Sequence, residues 1–199
     1  MSADQRFKQI PVEKLTPEQK ALYDGIRSGP RSQVQNSSAA KPGPLGGPFN
    51  VLLRSPGVGD IIQKLGAEIR FKSSLPAKLN EFAICITARH WTCQYEWTAH
   101  HKLALDAGLD PKIGEDLANG RKPANMSKDE EIIYNFSKEL HEKHEVTDAA
   151  YKAMHDRFGE RGAMDLIAVN GYYTLISMVL NTDRTPLAAG AKPPLPTLR

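Results

Sequence analysis

Apolar residues along this chain recur at helical spacing, and no stretch of useful length shows the period of two that a strand requires. "TPEQKALYDGI" reads as a short N-terminal helix, with Thr16 as cap and Pro17 in the first turn. "SPGVGDIIQKLGAEIRF" carries Ile61, Ile62, Leu65 and Ile69 at helical spacing, and "SSLPAKLNEFAICITARHW" does the same with Leu79, Phe82, Ala83 and Ile86. "SKDEEIIYNFSKELHEKH" opens on a capping box, Ser127 with Glu130. "TDAAYKAMHDRF" starts at the cap Thr147 and is stopped by Gly159. "RGAMDLIAVNGYYTLISMVLN" is apolar nearly all round, which predicts a central helix. Residues 28–48, rich in Gly, Pro, Ser and Asn, predict a long surface loop. The expected fold is all-α: an N-terminal helix and loop over 1–48, a helical body over 49–183, and an extended C-terminal arm over 184–199.

Composition narrows the function classes. The chain has 199 residues, 40% hydrophobic and 25% charged, enough for one domain with a real core. A net charge of +3 with no basic run gives no reason to expect nucleic acid or a membrane surface as partner. The first residues, "MSADQRFKQIPVEKL", lack the apolar core of a secretory signal. The longest apolar run, "LISMVL" after "AVNGYY", falls short of the roughly 20 residues of a membrane span. Cys85 and Cys93 form no disulfide framework, so free thiols in a reducing cytoplasm are expected.

The densest chemistry lies in "WTCQYEWTAHH", residues 91–101. On a helix starting at Cys93, residues Cys93, Glu96, Trp97, His100 and Ala104 share one inward arc, with Gln94, Tyr95, Thr98 and Lys102 opposite. Glu96 and His100, four apart, can pair, and an inward carboxylate needs such a partner. A buried ion pair and an acid/base site both fit. Clustering of three reactive groups on one small-residue face favours the site. Glu81 lies twelve residues before Cys93, about 18 Å away on one straight helix. It can join only if the chain turns at about residues 90–93, which would also put Cys93 in a first helical turn.

The spacing of Glu81, Cys93, Glu96 and His100 resembles the Glu, Cys, Cys, His pattern of alkylhydroperoxidase D-like proteins. The wider text, "LNEFAICITARHWTCQYEWTAHHKLALDAGL", is similar to the carboxymuconolactone decarboxylase family within that superfamily, as are "GPFNVLLRSPGV" before it and "AVNGYYTLISMVLN" after it. The resemblance covers roughly residues 45–182. It implies an all-helical fold with an antiparallel helix pair, assembled as trimers or hexamers with sites near subunit interfaces. The hydroperoxidase branch uses a Cys-x-x-Cys pair with a His and a Glu as proton relay; here Glu96 stands at the second Cys, so that disulfide cycle is impossible. The decarboxylase branch implies acid/base chemistry on a small carboxylated lactone without metal or organic cofactor. The Cys that decarboxylases commonly lack is retained here.

Two enzyme readings follow, beside a non-catalytic helical oligomer or binding protein. In the first, His100 moves a proton, Glu96 tunes it and Glu81 holds the far end, on a small carboxylated or lactone substrate. Arg89 or Arg54 would receive a substrate carboxylate, or Arg89 would pair with Glu96 or Glu81; Trp97 and Tyr172 would line the pocket, near Asn170 and Tyr173. In the second, Cys93 reduces peroxide and an external thiol resolves it. A metal held by Glu96 and His100 with His101 or His90 is disfavoured, because His101 projects about 100 degrees away from His100 and His90 precedes the expected break. "HEKHE" at 141–145 lacks the H-E-x-x-H spacing. The expected partners are thus a small-molecule substrate and further copies of the chain.

Overall fold

The computed structural model describes residues 4–33 and 39–197, so part of the loop expected over 28–48 lies outside the described residues. Eight α-helices follow in chain order: α1 (Pro17–Ser28), α2 (Pro48–Leu52), α3 (Pro56–Phe71), α4 (Ala77–His90), α5 (Gln94–Asp106), α6 (Pro111–Ala118), α7 (Lys128–Lys143) and α8 (Asp148–Asp183). Short 3-10 helices occupy Val12–Lys14 and Pro30–Gln33, and no strand occurs among the described residues. The fold is all-helical. The caps read from sequence are present: Thr16 with Gln19 and Ser127 with Glu130 form reciprocal capping boxes, and Thr147 Oγ1 accepts from the Ala150 N–H.

The chain forms two compact units, Met1–Lys72 with Val179–Pro186, and Ser73–Met178 with Leu187–Arg199. The first is built on Leu22, Tyr23 and Ile26 of α1 against Leu45, Leu52 and Leu53. Its N-terminal strand of chain is pinned by Asp183, whose carboxylate accepts from the Phe7 N–H (2.8 Å) and from Gln5 (2.9 Å). The inward face of α3 is Gly59, Gln63, Gly66 and Ile69, with Ile62 packed partly buried against the same core; of the stripe suggested by spacing, Ile61 and Leu65 face outward, Ile61 at 69% exposure. Close approach explains the swap. A Cβ on Gly59 would lie 2.6 Å from the Leu52 carbonyl oxygen, so only glycine lets α3 seat there.

In the second unit α4 is the central helix, buried at every residue from Leu79 to Arg89. It packs on α5, α6 and α7. The helix expected to be central, within α8, keeps one face in solvent, with Met164, Ile167, Leu175 and Met178 exposed. α8 breaks at Gly159, where φ 68° and ψ −179° lie in a region that essentially only glycine adopts. By length and composition α8 would suffice to cross a membrane, beyond the short apolar run counted in the sequence, although half of its most apolar window is buried inside the fold.

Candidate functional site

The site is made by a sharp turn. α4 ends at His90, and Trp91, Thr92 and Cys93 reverse the chain into α5. Thr92 takes a left-handed φ of 46°, unusual for a β-branched residue, and Cys93 becomes the N-cap of α5. The two helices therefore run side by side in opposite senses, which brings Glu81 across from His100 despite nineteen intervening steps of sequence.

His100 is bound at both ring nitrogens. Its Nδ1 lies 2.5 Å from Glu81 Oε2 and its Nε2 3.1 Å from Glu96 Oε1. All three side chains are about nine-tenths buried or more. Burial, the largest single influence on the imidazole, pulls its pKa down. The two carboxylates together more than offset this and hold it at about 9, so it is an imidazolium at neutral pH. Tyr173 from α8 closes the ring edge-on at 4.9 Å between centroids.

Cys93 is 1% exposed. Burial pushes its thiol up and the Glu96 carboxylate adds to this; backbone N–H groups of Glu96 and Tyr95 and the Ser177 hydroxyl pull the other way, leaving it at about 11. Ser177 Oγ is itself buried, with no conventional hydrogen-bond partner among the described residues, and Cys93 is what it faces. Cys85, fully buried near Glu81 and Glu96, is raised well above the usual thiol range by desolvation and then by those charges. Both thiols are free.

Trp97 lies on the inward face expected for it, whereas neither arginine touches the glutamates. Arg89 pairs with neither glutamate: its Nη1 donates to the carbonyls of Ala118 (3.1 Å) and Pro196 (2.9 Å), and its Nη2 to Thr92 Oγ1 (3.0 Å). Arg54 donates to the carbonyls of Asn50 and Lys8 in the other unit. Trp97 is buried and stacks on His101 at 4.9 Å. Tyr172 packs edge-to-face on Tyr173, with ring centroids 5.1 Å apart. Among the described residues no three His, Cys, Asp or Glu side chains converge as a metal ion requires; the two nitrogens of His100 face different carboxylates.

Asn170, read from sequence as a pocket neighbour, instead anchors a second polar network whose partners sequence reasoning missed. Asn170 Oδ1 accepts from Thr87 Oγ1 (3.0 Å) and lies 3.1 Å from His141 Nε2, and Asn170 Nδ2 donates to Ser137 Oγ and the Leu166 carbonyl. His141 stacks on His90 at 4.7 Å. Burial and then the neighbouring His90 lower His141 to about 4, so it is neutral. An Asn inside the apolar run of α8 was the available signal.

No protein-family model matches the chain. No curated protein matches it either. Among solved structures it is similar to an alkylhydroperoxidase AhpD core from Ralstonia eutropha JMP134, described as an uncharacterized peroxidase-related protein. The likeness spans 92% of this chain and 94% of that one, with a TM-score of 0.70 at 21% identity. With the helix pair and its reversed turn in view, the chain adopts the alkylhydroperoxidase D-like fold.

Proposed function

We propose that this protein is a cofactor-independent acid/base enzyme that moves a proton at the carbon beside the carbonyl of a small lactone. The observation that carries the reading is His100 bound between two buried carboxylates. With both nitrogens occupied, His100 is the middle of a relay rather than its end. Glu96, beside Cys93, exchanges the proton with substrate, and the imidazolium passes charge between Glu96 and Glu81. Arg89, the cation expected to receive a substrate carboxylate, is committed to two backbone carbonyls and Thr92 Oγ1. A neutral lactone carbonyl therefore suits the site better than an anionic substrate. Proton loss from the carbon beside that carbonyl leaves an enolate, which the same relay reprotonates.

A second reading, a thiol peroxidase using Cys93, is favoured by the N–H groups and hydroxyl around the sulfur and by the peroxidase-related structural neighbour. It is opposed by a thiol held at about 11. The exposed α8 stripe of Met164, Ile167, Leu175 and Met178 supports the further proposal of a homo-oligomer.

The test uses five-membered lactones in D2O and follows exchange of the proton beside the carbonyl by NMR. We expect exchange by the wild type and a loss of about 100-fold or more in His100→Gln. Exchange unchanged in that variant ends the relay reading. Peroxide consumption lost in Cys93→Ser, with lactone exchange absent throughout, transfers the site to the second reading.

A further inference from the structure

We infer that the C-terminal arm is a latch over the α4–α5 corner and controls access to Cys93. This rests on the reading that Cys93, Glu96 and His100 form one site.

Residues 188–197 have a single buried member, Leu195, at 3% exposure. Gln94, next to Cys93, grips the backbone of that residue twice: Gln94 Oε1 accepts from the Leu195 N–H (2.9 Å) and Gln94 Nε2 donates to the Leu195 carbonyl (2.8 Å). The side-chain amide thus pairs with the arm as an adjacent strand would. One residue on, the Pro196 carbonyl accepts from Arg89 Nη1, four positions before Cys93. Both flanks of Cys93 hold the arm.

Arg89 links the latch to the turn. The same guanidinium binds the end of α6 through Ala118 and the turn itself through Thr92 Oγ1. Thr92 is the residue held at a left-handed φ of 46°, and such a conformation persists only when its surroundings over-determine it. Removing the arm takes away one of the three oxygens that fix Arg89, and with it part of the restraint on the turn that aims Cys93 inward. The arm is suited to detach. One anchoring side chain and three hydrogen bonds hold ten otherwise largely exposed residues, which places it among the segments that open first. Pro193, Pro194 and Pro196 restrict the backbone of the arm and spare it part of the ordering entropy on re-docking.

The experiment follows iodoacetamide labelling of Cys93 and Cys85 by peptide mass spectrometry in the full chain. Wild type, Leu195→Asp and Gln94→Ala are compared at one pH. Neither substituted residue belongs to the relay, and no substrate is needed, so the result stands apart from the fate of the lactone reading. We expect labelling of Cys93 to rise about 10-fold in Leu195→Asp and by less in Gln94→Ala, with Cys85 unchanged. An unchanged Cys93 rate in both variants overturns the latch. So does parallel acceleration of Cys85, which would mean general loosening of the unit.

Discussion

Cys93 and His100 sit at opposite ends of one short helical face, yet their environments drive them to opposite protonation behaviour. His100 is bracketed by anions and stays charged; Cys93 has one anion, Glu96, and a dry surrounding, and stays neutral. A helix N-terminus normally favours a thiolate, and here N–H donors and Ser177 do act in that direction, but burial outweighs them. The expected outcome is a pH profile of Cys93 alkylation that rises only toward about 11, well above the profile of a free cysteine. A midpoint at or below 8 would revive the peroxidase reading. The inward set Cys93, Glu96, Trp97 and His100 was legible in sequence because 100 degrees per residue is a local rule, and all four are buried. The fate of Arg89 was not. Two of its three acceptors lie 29 and 107 residues away, and no local pattern announces a backbone carbonyl.

At the scale of elements, most helix starts were readable because caps are local chemistry, whereas which face turns inward was not always so. In α3 the Ile61 and Leu65 positions lost to Gly59, since backbone proximity there outweighs the burial of those two side chains. Amphipathic periodicity assumes that large side chains make the contact, and a glycine-lined approach breaks that assumption. The turn at 91–93 was inferred only because Glu81 needed it; no Gly or Pro marks it. Gly159, by contrast, marks its break openly. A Cβ there would meet nothing within 4 Å, so any cost of Gly159→Ala is backbone strain alone. With φ 68° and ψ −179°, we expect a loss of about 1–3 kcal/mol, read as a lower urea midpoint with an unchanged slope. A neutral result would mean that the two arms of α8 can join as one continuous helix without cost.

For the molecule as a whole, the two histidine clusters set opposite limits on stability. His100 has a folded pKa raised from about 6.5 to about 9, so its contribution is complete below 6.5 and is lost as pH rises through 9. Being buried, it accounts for a loss on the order of 3 kcal/mol across that window. His141 is depressed from about 6.5 to about 4, and its stacked neighbour His90 is lowered too, mainly by burial. Their contribution is complete above 6.5 and falls away as pH drops toward 4, where the network of Thr87 and Asn170 must accommodate a charge between Lys138 and His90. Carboxylates held down by partners, such as Asp129 by Arg157 and Glu130 by Lys78 and Ser127, add to the acid limb from about pH 5 downward, so the histidine part is read between about pH 6.5 and 5. The expected melting temperature is therefore a dome centred near pH 6.5. His100→Gln should flatten the alkaline side and leave the acid side intact; His141→Gln should do the reverse. Calorimetry of the three proteins from pH 4 to 8 checks both limbs, and an alkaline slope undiminished in His100→Gln would show that His100 is not held as an imidazolium by Glu81 and Glu96.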